Sequence, residues 1–209
     1  ALVFEPRLVL MDEPLGALDK NLREQMQYEI KHIHERIGIT VVYVTHDQSE
    51  ALTMSNRIAV FNDGVVQQLS TPDILYEKPE NSFVAEFIGE NNTMSGIVKE
   101  INGDYCNVDL DSGGTVKALK INVNSVGDKT KLSVRPERVN IETNNSSSNS
   151  FQGEVKELIY LGDHIRARLA VCGSAEFIVK IPNEGNIKLK ESSNISVSWN
   201  PDDIRALDF

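Results

Sequence analysis

The sequence predicts two parts of different fold class, an α/β part over residues 1–90 and an all-β part over residues 91–209. Three observations support this division. In the first part a helical pattern lies between two strand-like apolar runs. After residue 90 the helical periodicity disappears, and short strands alternate with turns. The charge changes at the same place, from seven Lys or Arg and fifteen Asp or Glu to fourteen and sixteen.

The first part begins with a strand, a helix and a second strand. Residues 7–11 form a near-continuous apolar run, which is typical of a buried parallel strand. A helix is predicted from Asp19, a suitable N-cap, to Ile37, with Gly38 just beyond it. Residues 39–45 are β-branched and aromatic and predict the second strand. The helix has one apolar face, on which the residues are spaced by four, four, three and four: Leu22, Met26, Ile30, Ile33 and Ile37.

Shorter elements complete the first part. Residues 47–50, "DQSE", resemble a capping box that opens a short helix. Asp63-Gly64 predicts the turn of a hairpin. Thr71 and Pro72 suit the N-cap and the first position of the next helix, and a last short helix ends at Gly89.

The all-β part has the strand spacing of a small barrel or a sandwich. A weak repeat is present in it. "GIVKEI" at 96–101 matches "GEVKEL" at 153–158 at four of six positions, and "LSV" at 132–134 resembles "ISV" at 195–197. Two similar β units in tandem and a chance similarity of short strands are both open. Residues 143–150, "TNNSSSNS", predict a flexible connection in the middle of this part.

Composition excludes several classes of protein. The formal net charge of −10 over 209 residues gives no basic surface for nucleic acid. No apolar run approaches the roughly 18 residues of a membrane-spanning helix. The two cysteines, Cys106 and Cys172, lie in strand-like runs, and reduced thiols are a better interpretation than a disulfide.

Two adjacent acids follow the first strand. Asp12 and Glu13 come directly after the apolar residues 8–11. A solvated strand terminus is the simplest interpretation. However, ligands of open α/β sheets bind beyond the carboxyl ends of the strands. Phosphoryl transfer needs an acid that holds Mg²⁺, here Asp12, and a group that orients the attacking water, here Glu13. His46 follows the next strand, so it can approach the same phosphate.

The order and spacing of these motifs resemble those of the ATP-binding subunits of ATP-binding cassette (ABC) importers. "LVLMDE" at 8–13 resembles the Walker B strand, "GALD" at 16–19 the D-loop, and "VTHD" at 44–47 the H-loop. "FVAEFIGENN" and "SVRPERV" resemble the boundary and core of a TOBE domain, an OB-like barrel. Within the family, "STPDILYEKPENSFVAEFIGENN" is most similar to the polyamine (spermidine/putrescine) type, and sugar and iron importers are the alternatives.

This resemblance implies a fold and roles for particular residues. Residues 1–90 would be the C-terminal part of a P-loop NTPase-type nucleotide-binding domain, and residues 91–209 an OB-like TOBE domain. Glu13 and His46 would be catalytic, and Asp12 would hold Mg²⁺ through water. Asp19, in the D-loop, would reach the nucleotide site of the partner subunit. ATP and Mg²⁺ are the implied cofactors.

The resemblance also implies partners and a location. The partners would be a second ATPase subunit in a homodimer, the transmembrane permease subunits and, indirectly, a periplasmic solute-binding protein, with no nucleic acid. The subunit would lie peripherally on the cytoplasmic side of the inner or plasma membrane.

Two motifs of the family are missing from the sequence. No G-x-x-x-x-G-K-[ST] phosphate loop occurs, and no L-S-G-G-Q-type signature. "DSGGT" at 111–115 lies between two predicted strands, where Gly-Gly makes a turn. We therefore expect this chain to be the C-terminal portion of a longer subunit and to be inactive as an ATPase by itself. The strand pair of the first part would then have exposed apolar faces, and we expect self-association or a partner swap if that part is ordered.

Other polar residues have simpler interpretations. His32 and His34 lie off the apolar face of the helix, as solvated side chains do. "RPER" at 135–138 could bind an anion, but a structural role in the barrel is favoured. Trp199 is expected in the core. Two rival functions are an isolated β-barrel regulatory or solute-binding module and a DNA-repair or chromosome-type ABC ATPase, which would carry heptad coiled coils that this sequence lacks.

Overall fold

The computed structural model describes residues 6–142, 149–183 and 189–209. It divides the chain into two compact units, the first ending at Pro79 and the second beginning at Glu80. Sequence analysis placed the change after residue 90 instead. Most of the predicted flexible connection at 143–150 lies outside the described residues.

The first unit is an α/β structure. Its described elements alternate strand and helix and then form a hairpin and one more helix. They are β1 (Leu8–Asp12), α1 (Lys20–Ile37), β2 (Thr40–Val44), α2 (Gln48–Met54), β3 (Ile58–Asn62), β4 (Val65–Ser70) and α3 (Pro72–Glu77).

Strands β1 and β2 run parallel, with α1 connecting them. Leu8 pairs with Thr40, and the register continues to Asp12 and Val44. Both predicted caps of α1 are present. The Asp19 carboxylate accepts a hydrogen bond from the Leu22 N–H at 3.0 Å. Gly38 ends the helix with a φ of +72°, a conformation that glycine adopts without strain.

Much of the apolar surface of this strand pair is exposed. Leu10 is 72% exposed, and Val42 and Val44 are also exposed. The pair is a two-stranded sheet within the described residues. The expected self-association through these faces stays a prediction. None of the helices in the described ranges has both the length and the hydrophobicity needed to cross a bilayer.

The second unit is built mainly of strands. Its described elements are α4 (Ser82–Phe87), β5 (Asn92–Asn102), β6 (Tyr105–Leu110), β7 (Thr115–Lys120), β8 (Lys129–Val134), β9 (Asn140–Glu142), β10 (Asn149–Tyr160), β11 (His164–Val171), β12 (Ser174–Pro182), β13 (Asn194–Trp199) and β14 (Ile204–Leu207), with short 3-10 helices at Pro136–Arg138 and Pro201–Asp203.

These strands form two five-stranded sheets. One closes into a barrel in the order β14-β7-β6-β5-β8, and the other has the order β12-β11-β10-β13-β9. The unit has two halves along the chain, β5 to β9 and β10 to β14. The last strand of each half belongs to the sheet that the other half forms. β9 follows β8 in the chain but pairs with β13, and β14 follows β13 but pairs with β8 and β7. The two halves therefore exchange their final strands.

The same local features recur in both halves. β5 has a bulge between Val98 and Glu100, and β10 has one between Val155 and Glu157, 57 residues later. At each bulge the valine exchanges two backbone hydrogen bonds with the loop before the fourth strand. Val98 bonds with residues 127 and 128, and Val155 bonds with residues 192 and 193.

Two buried asparagines connect the halves. The Asn92 side chain donates to the Ile178 carbonyl at 2.8 Å and accepts from the Ile178 N–H at 2.7 Å. The Asn149 side chain makes the same two bonds with Lys117, each at 2.9 Å. Each amide thus pairs with the third strand of the opposite half as a peptide group would.

The core of this unit is continuous across both sheets. Trp199, fully buried as predicted, stacks on Phe151 and Phe177, with ring centroids 5.4 and 5.8 Å away. Cys106 and Cys172 are free thiols. Burial raises the pKa of the Cys172 thiol to about 12, so this sulfur is protonated at neutral pH.

Arg135 explains why α4 belongs to the second unit. Its buried guanidinium donates through Nη1 to the backbone carbonyls of Ala85, Ile88 and Glu90. The last turn of a helix leaves carbonyls without partners inside the helix, and Arg135 bonds to two of them. These contacts agree with the structural role that was predicted for the "RPER" segment at 135–138.

Candidate functional site

The carboxyl ends of β1 and β2 lie side by side. The Glu13 N–H donates to the Val44 carbonyl at 2.9 Å, so the ladder continues one residue beyond β1. The chain leaves both strands at this edge. The segments that follow, residues 13–19 and 45–47, contain all but one of the residues that the sequence singled out for chemistry; the exception is Asp12, the last residue of β1.

Glu13 has an unusual backbone conformation. Its φ is +41°, in the left-handed region that side chains other than glycine seldom occupy. The turn continues with a hydrogen bond of 3.2 Å from the Gly16 N–H to the Glu13 carbonyl. Strained residues of this kind concentrate at functional sites.

Glu13 and His46 are in contact. His46 Nδ1 lies 2.8 Å from Glu13 Oε1, and the two side chains are 77% and 50% exposed. The hydrogen bond to Glu13, followed by the attraction of its charge, raises the pKa of His46 above its ordinary value. The sequence placed Glu13 and His46 together at the ends of neighbouring strands, and the structure has them in contact. Their catalytic roles stay predictions.

The contact restricts what the imidazole can do. A carboxylate only accepts hydrogen bonds, so His46 Nδ1 donates to Glu13. In the neutral ring the other nitrogen, Nε2, is then an acceptor. His46 can donate Nε2–H to a phosphate oxygen either as the imidazolium or after Glu13 has released Nδ1. The raised pKa favours the imidazolium.

Asp12 and Asp19 lie near this pair in sequence but differ in role. Asp12 ends β1 and is exposed. The Asp19 carboxylate serves as the N-cap of α1. In the described ranges, no group of three or more His, Cys, Asp or Glu side chains is arranged to hold a metal ion. Mg²⁺ commonly binds through one or two carboxylates together with waters and substrate phosphates, a mode that an exposed Asp12 fits.

A polar network supports the His46 segment, and sequence analysis missed it. The carboxylate of buried Glu50 accepts hydrogen bonds from the hydroxyl groups of Tyr43 and Thr45, at 2.9 and 2.8 Å. The Asp47 N–H donates to Thr45 Oγ1 at 3.0 Å. The capping-box interpretation of residues 47–50 was therefore half wrong. Asp47 does cap α2, but the Glu50 carboxylate binds the Tyr43 and Thr45 hydroxyls, and the Asp47 N–H donates to Thr45 instead.

Arg23 completes this network from α1. Its Nη1 lies 3.0 Å from Asp47 Oδ2, and its Nη2 donates to the Leu18 carbonyl at 3.1 Å. The only sign of this role in the sequence is a charged residue in the first turn of α1. That signal does not identify a partner 24 residues away.

The comparisons with known proteins concern both units. Residues 132–207 match the TOBE domain family. The chain is 39% identical over 215 residues to the "Spermidine/putrescine import ATP-binding protein PotA" of Trichodesmium erythraeum, covering 99% of this chain and 56% of the relative. The protein of that name from Rubrobacter xylanophilus is 40% identical, with coverages of 95% and 53%. The one from Pseudomonas aeruginosa is 47% identical over 166 residues, or 78% and 46%.

These findings confirm the resemblance that the sequence predicted. Residues 132–207 match the TOBE domain family, and the chain is similar over nearly all of its own length to proteins named as spermidine/putrescine import ATP-binding proteins. It spans about half the length of these curated relatives. Among solved structures, the cytoplasmic molybdate-binding protein ModG shows a weak likeness, with 19% identity and a TM-score of 0.49 over 56% of this chain.

Proposed function

We propose that this chain is part of the ATP-hydrolysing, energy-coupling subunit of an ABC importer. The observation that carries this proposal is the contact of Glu13 with His46 at the ends of two neighbouring parallel strands. Residues 6–79 would then belong to a P-loop NTPase-type nucleotide-binding domain. The names of the relatives support the same assignment.

Each residue of the site has a task that its position allows. Glu13 accepts a hydrogen bond from the attacking water and orients it toward the γ-phosphate. His46 donates from Nε2 to an oxygen of that phosphate once Glu13 has turned to the water. Asp12 would hold Mg²⁺ through water, and the bound ion would supply positive charge beside the phosphates. Asp19 faces the nucleotide site of the second subunit in a homodimer.

The transported substrate is proposed from the names of the relatives, and the partners are proposed from the resemblance to ABC importer subunits. Polyamines are proposed because the relatives are named for spermidine and putrescine, with sugar and iron importers as the substrate alternatives. The subunit would act with permease subunits and a periplasmic solute-binding protein, peripherally on the cytoplasmic side of the membrane.

The chain by itself is expected to be inactive. Its sequence has no phosphate loop, and a phosphate loop provides most of the backbone N–H groups and the Lys that bind the phosphates. Isothermal titration with Mg-ATP should detect no tight binding. Tight binding would contradict this expectation.

A chimera tests the proposed function. This chain would replace the corresponding part of the Trichodesmium relative, to which it is similar over 99% of its length. We expect ATP hydrolysis, and a loss of about 10²–10⁴-fold in kcat for Glu13→Gln, as for the removal of a catalytic base. Glu24→Gln, on the exposed side of α1, is the matched control. Equal rates for the two variants would rule out the assigned role of Glu13.

A further inference from the structure

Arg23 touches both segments that carry the candidate site. From the first turn of α1, its Nη2 donates to the Leu18 carbonyl, in the segment that ends at Asp19. Its Nη1 forms an ion pair of 3.0 Å with Asp47, the residue after His46. Both side chains are about 30% exposed, so this pair is partly shielded from water.

Asp47 uses its two carboxylate oxygens for different purposes. Oδ1 accepts from the N–H groups of Ser49 and Glu50, at 2.8 and 3.3 Å, and so caps α2. Oδ2 is bound by Arg23. The guanidinium is thus attached to the carboxylate that fixes the turn immediately after His46.

The buried residue Glu50 is the third partner of Arg23. Arg23 Nε lies 3.8 Å from Oε1 of Glu50, whose other oxygen binds the hydroxyls of Tyr43 and Thr45. Burial and the contact with Glu50 raise the pKa of Tyr43, which keeps its hydroxyl protonated as a donor. A buried carboxylate is stable only where charges and donors compensate it. Arg23 provides the positive charge here.

We propose that Arg23 is a positioning residue that holds residues 16–19 and 45–47 at a fixed separation and so keeps His46 against Glu13. A planar guanidinium can serve a carbonyl and a carboxylate together, whereas a Lys ammonium is a single point on a flexible chain. For ATP hydrolysis this inference rests on the proposed function. The geometric claim itself needs no nucleotide.

Hydrogen exchange of the full 209-residue chain tests the link between the segments. We would compare the wild type with Arg23→Ala, Arg23→Lys and the control Arg36→Ala, which removes an exposed arginine of the same helix. Both Arg23 variants should exchange about tenfold faster in peptides covering residues 16–19 and also in those covering 45–50. Acceleration in neither segment, or in one only, would overturn the proposal.

The titration of His46 provides a second readout that a general loss of stability would not move. Arg23→Lys keeps the positive charge near Asp47 and Glu50, so a change in the His46 pKa reports its distance from Glu13. We expect the NMR midpoint of His46 to fall toward about 6.5, with the signal assigned from His46→Asn. An unchanged midpoint would refute the positioning role.

These two experiments separate the inference from the proposed function. If Arg23→Ala lowers the far-UV helical signal of the first unit, Arg23→Lys decides the outcome. If the exchange and titration results are as expected but the chimera does not hydrolyse ATP, the positioning role stands and the proposed function fails. If the chimera is active and Arg23→Lys changes neither the hydrogen exchange nor the His46 midpoint, the proposed function stands and the positioning role fails.

Discussion

The backbone of Glu13 shows how one residue prepares the site. Its N–H extends the β1–β2 ladder to Val44, while its left-handed φ of +41° turns the chain sharply after it. A left-handed residue other than glycine costs roughly 1–3 kcal/mol. The conformation places the carboxylate beside His46 at 2.8 Å.

The first prediction concerns the charge on His46. Because Glu13 raises the His46 pKa through a hydrogen bond and its negative charge, Glu13→Gln should lower the NMR titration midpoint of His46 toward about 6.5. Glu24→Gln should leave it unchanged. Since the folded-state pKa is the raised one, the stabilisation by this pair is fully present below about pH 6.5 and is lost as the pH rises through the folded-state value.

Salt provides an internal check on this prediction. Both side chains are substantially exposed, and charges in such positions are screened by added salt. Raising the ionic strength should reduce the difference between the wild type and Glu13→Gln. A difference that did not depend on salt would show that the shift has another origin.

At the scale of elements, the two long strands of the second unit depend on glycine near their bulges. A Cβ added to Gly96 would lie 2.5 Å from the Asp109 carbonyl oxygen and 2.8 Å from Val108 Cγ1. A Cβ added to Gly153, 57 residues later, would lie 3.1 Å from Val171 Cβ and 3.2 Å from the Ala170 oxygen. The same position is therefore tighter in β5 than in β10.

The second prediction uses this difference. Gly96→Ala should lower the free energy of unfolding by about 1–3 kcal/mol, because the backbone of β6 must move. Gly153→Ala should lower it by less, since its neighbours need to move only slightly. Denaturant titrations that follow the fluorescence of Trp199, the sole tryptophan, measure both. A larger loss for Gly153→Ala would contradict the reasoning.

At the scale of the whole molecule, the second unit behaves as two halves joined by reciprocal contacts. Each half lends a strand to the other, β9 in one direction and β14 in the opposite one. Each also offers an asparagine amide to the third strand of the other. The core residues of both sheets form a single cluster. The two sheets should therefore unfold in one cooperative transition.

The third prediction tests these reciprocal amides. Asn92→Ala leaves the N–H and carbonyl of Ile178 without this partner, and Asn149→Ala does the same to Lys117. Each should reduce the free energy of unfolding by about 1–3 kcal/mol, in a single transition seen by both Trp199 fluorescence and circular dichroism.

Asn122→Ala is the matched control, because the side chain of Asn122 is exposed. It should change the free energy of unfolding by less than about 0.5 kcal/mol. Two separate transitions in either buried variant would show that the halves are independent.

Sequence reasoning worked where the cause was local. Asp19 and Gly38 were identified as caps because such residue types suit those positions in any helix. The Glu13–His46 contact followed from the rule that parallel strands end at one edge. Arg23 and the burial of Glu50 could not be found, because each depends on partners from another element. The role of Asn92 and the exchange of final strands depend on residues more than 50 positions apart.

The exchange of final strands also has a consequence for synthesis. The barrel begun by β5 at residue 92 is closed by β14 (Ile204–Leu207), which follows every other described strand of the unit in the chain. While the ribosome is still adding residues, that barrel has an open gap between β7 and β8. Pairing across so long a separation is slow, and an unpaired edge is prone to aggregate. This barrel can therefore close only after β14 has been synthesised.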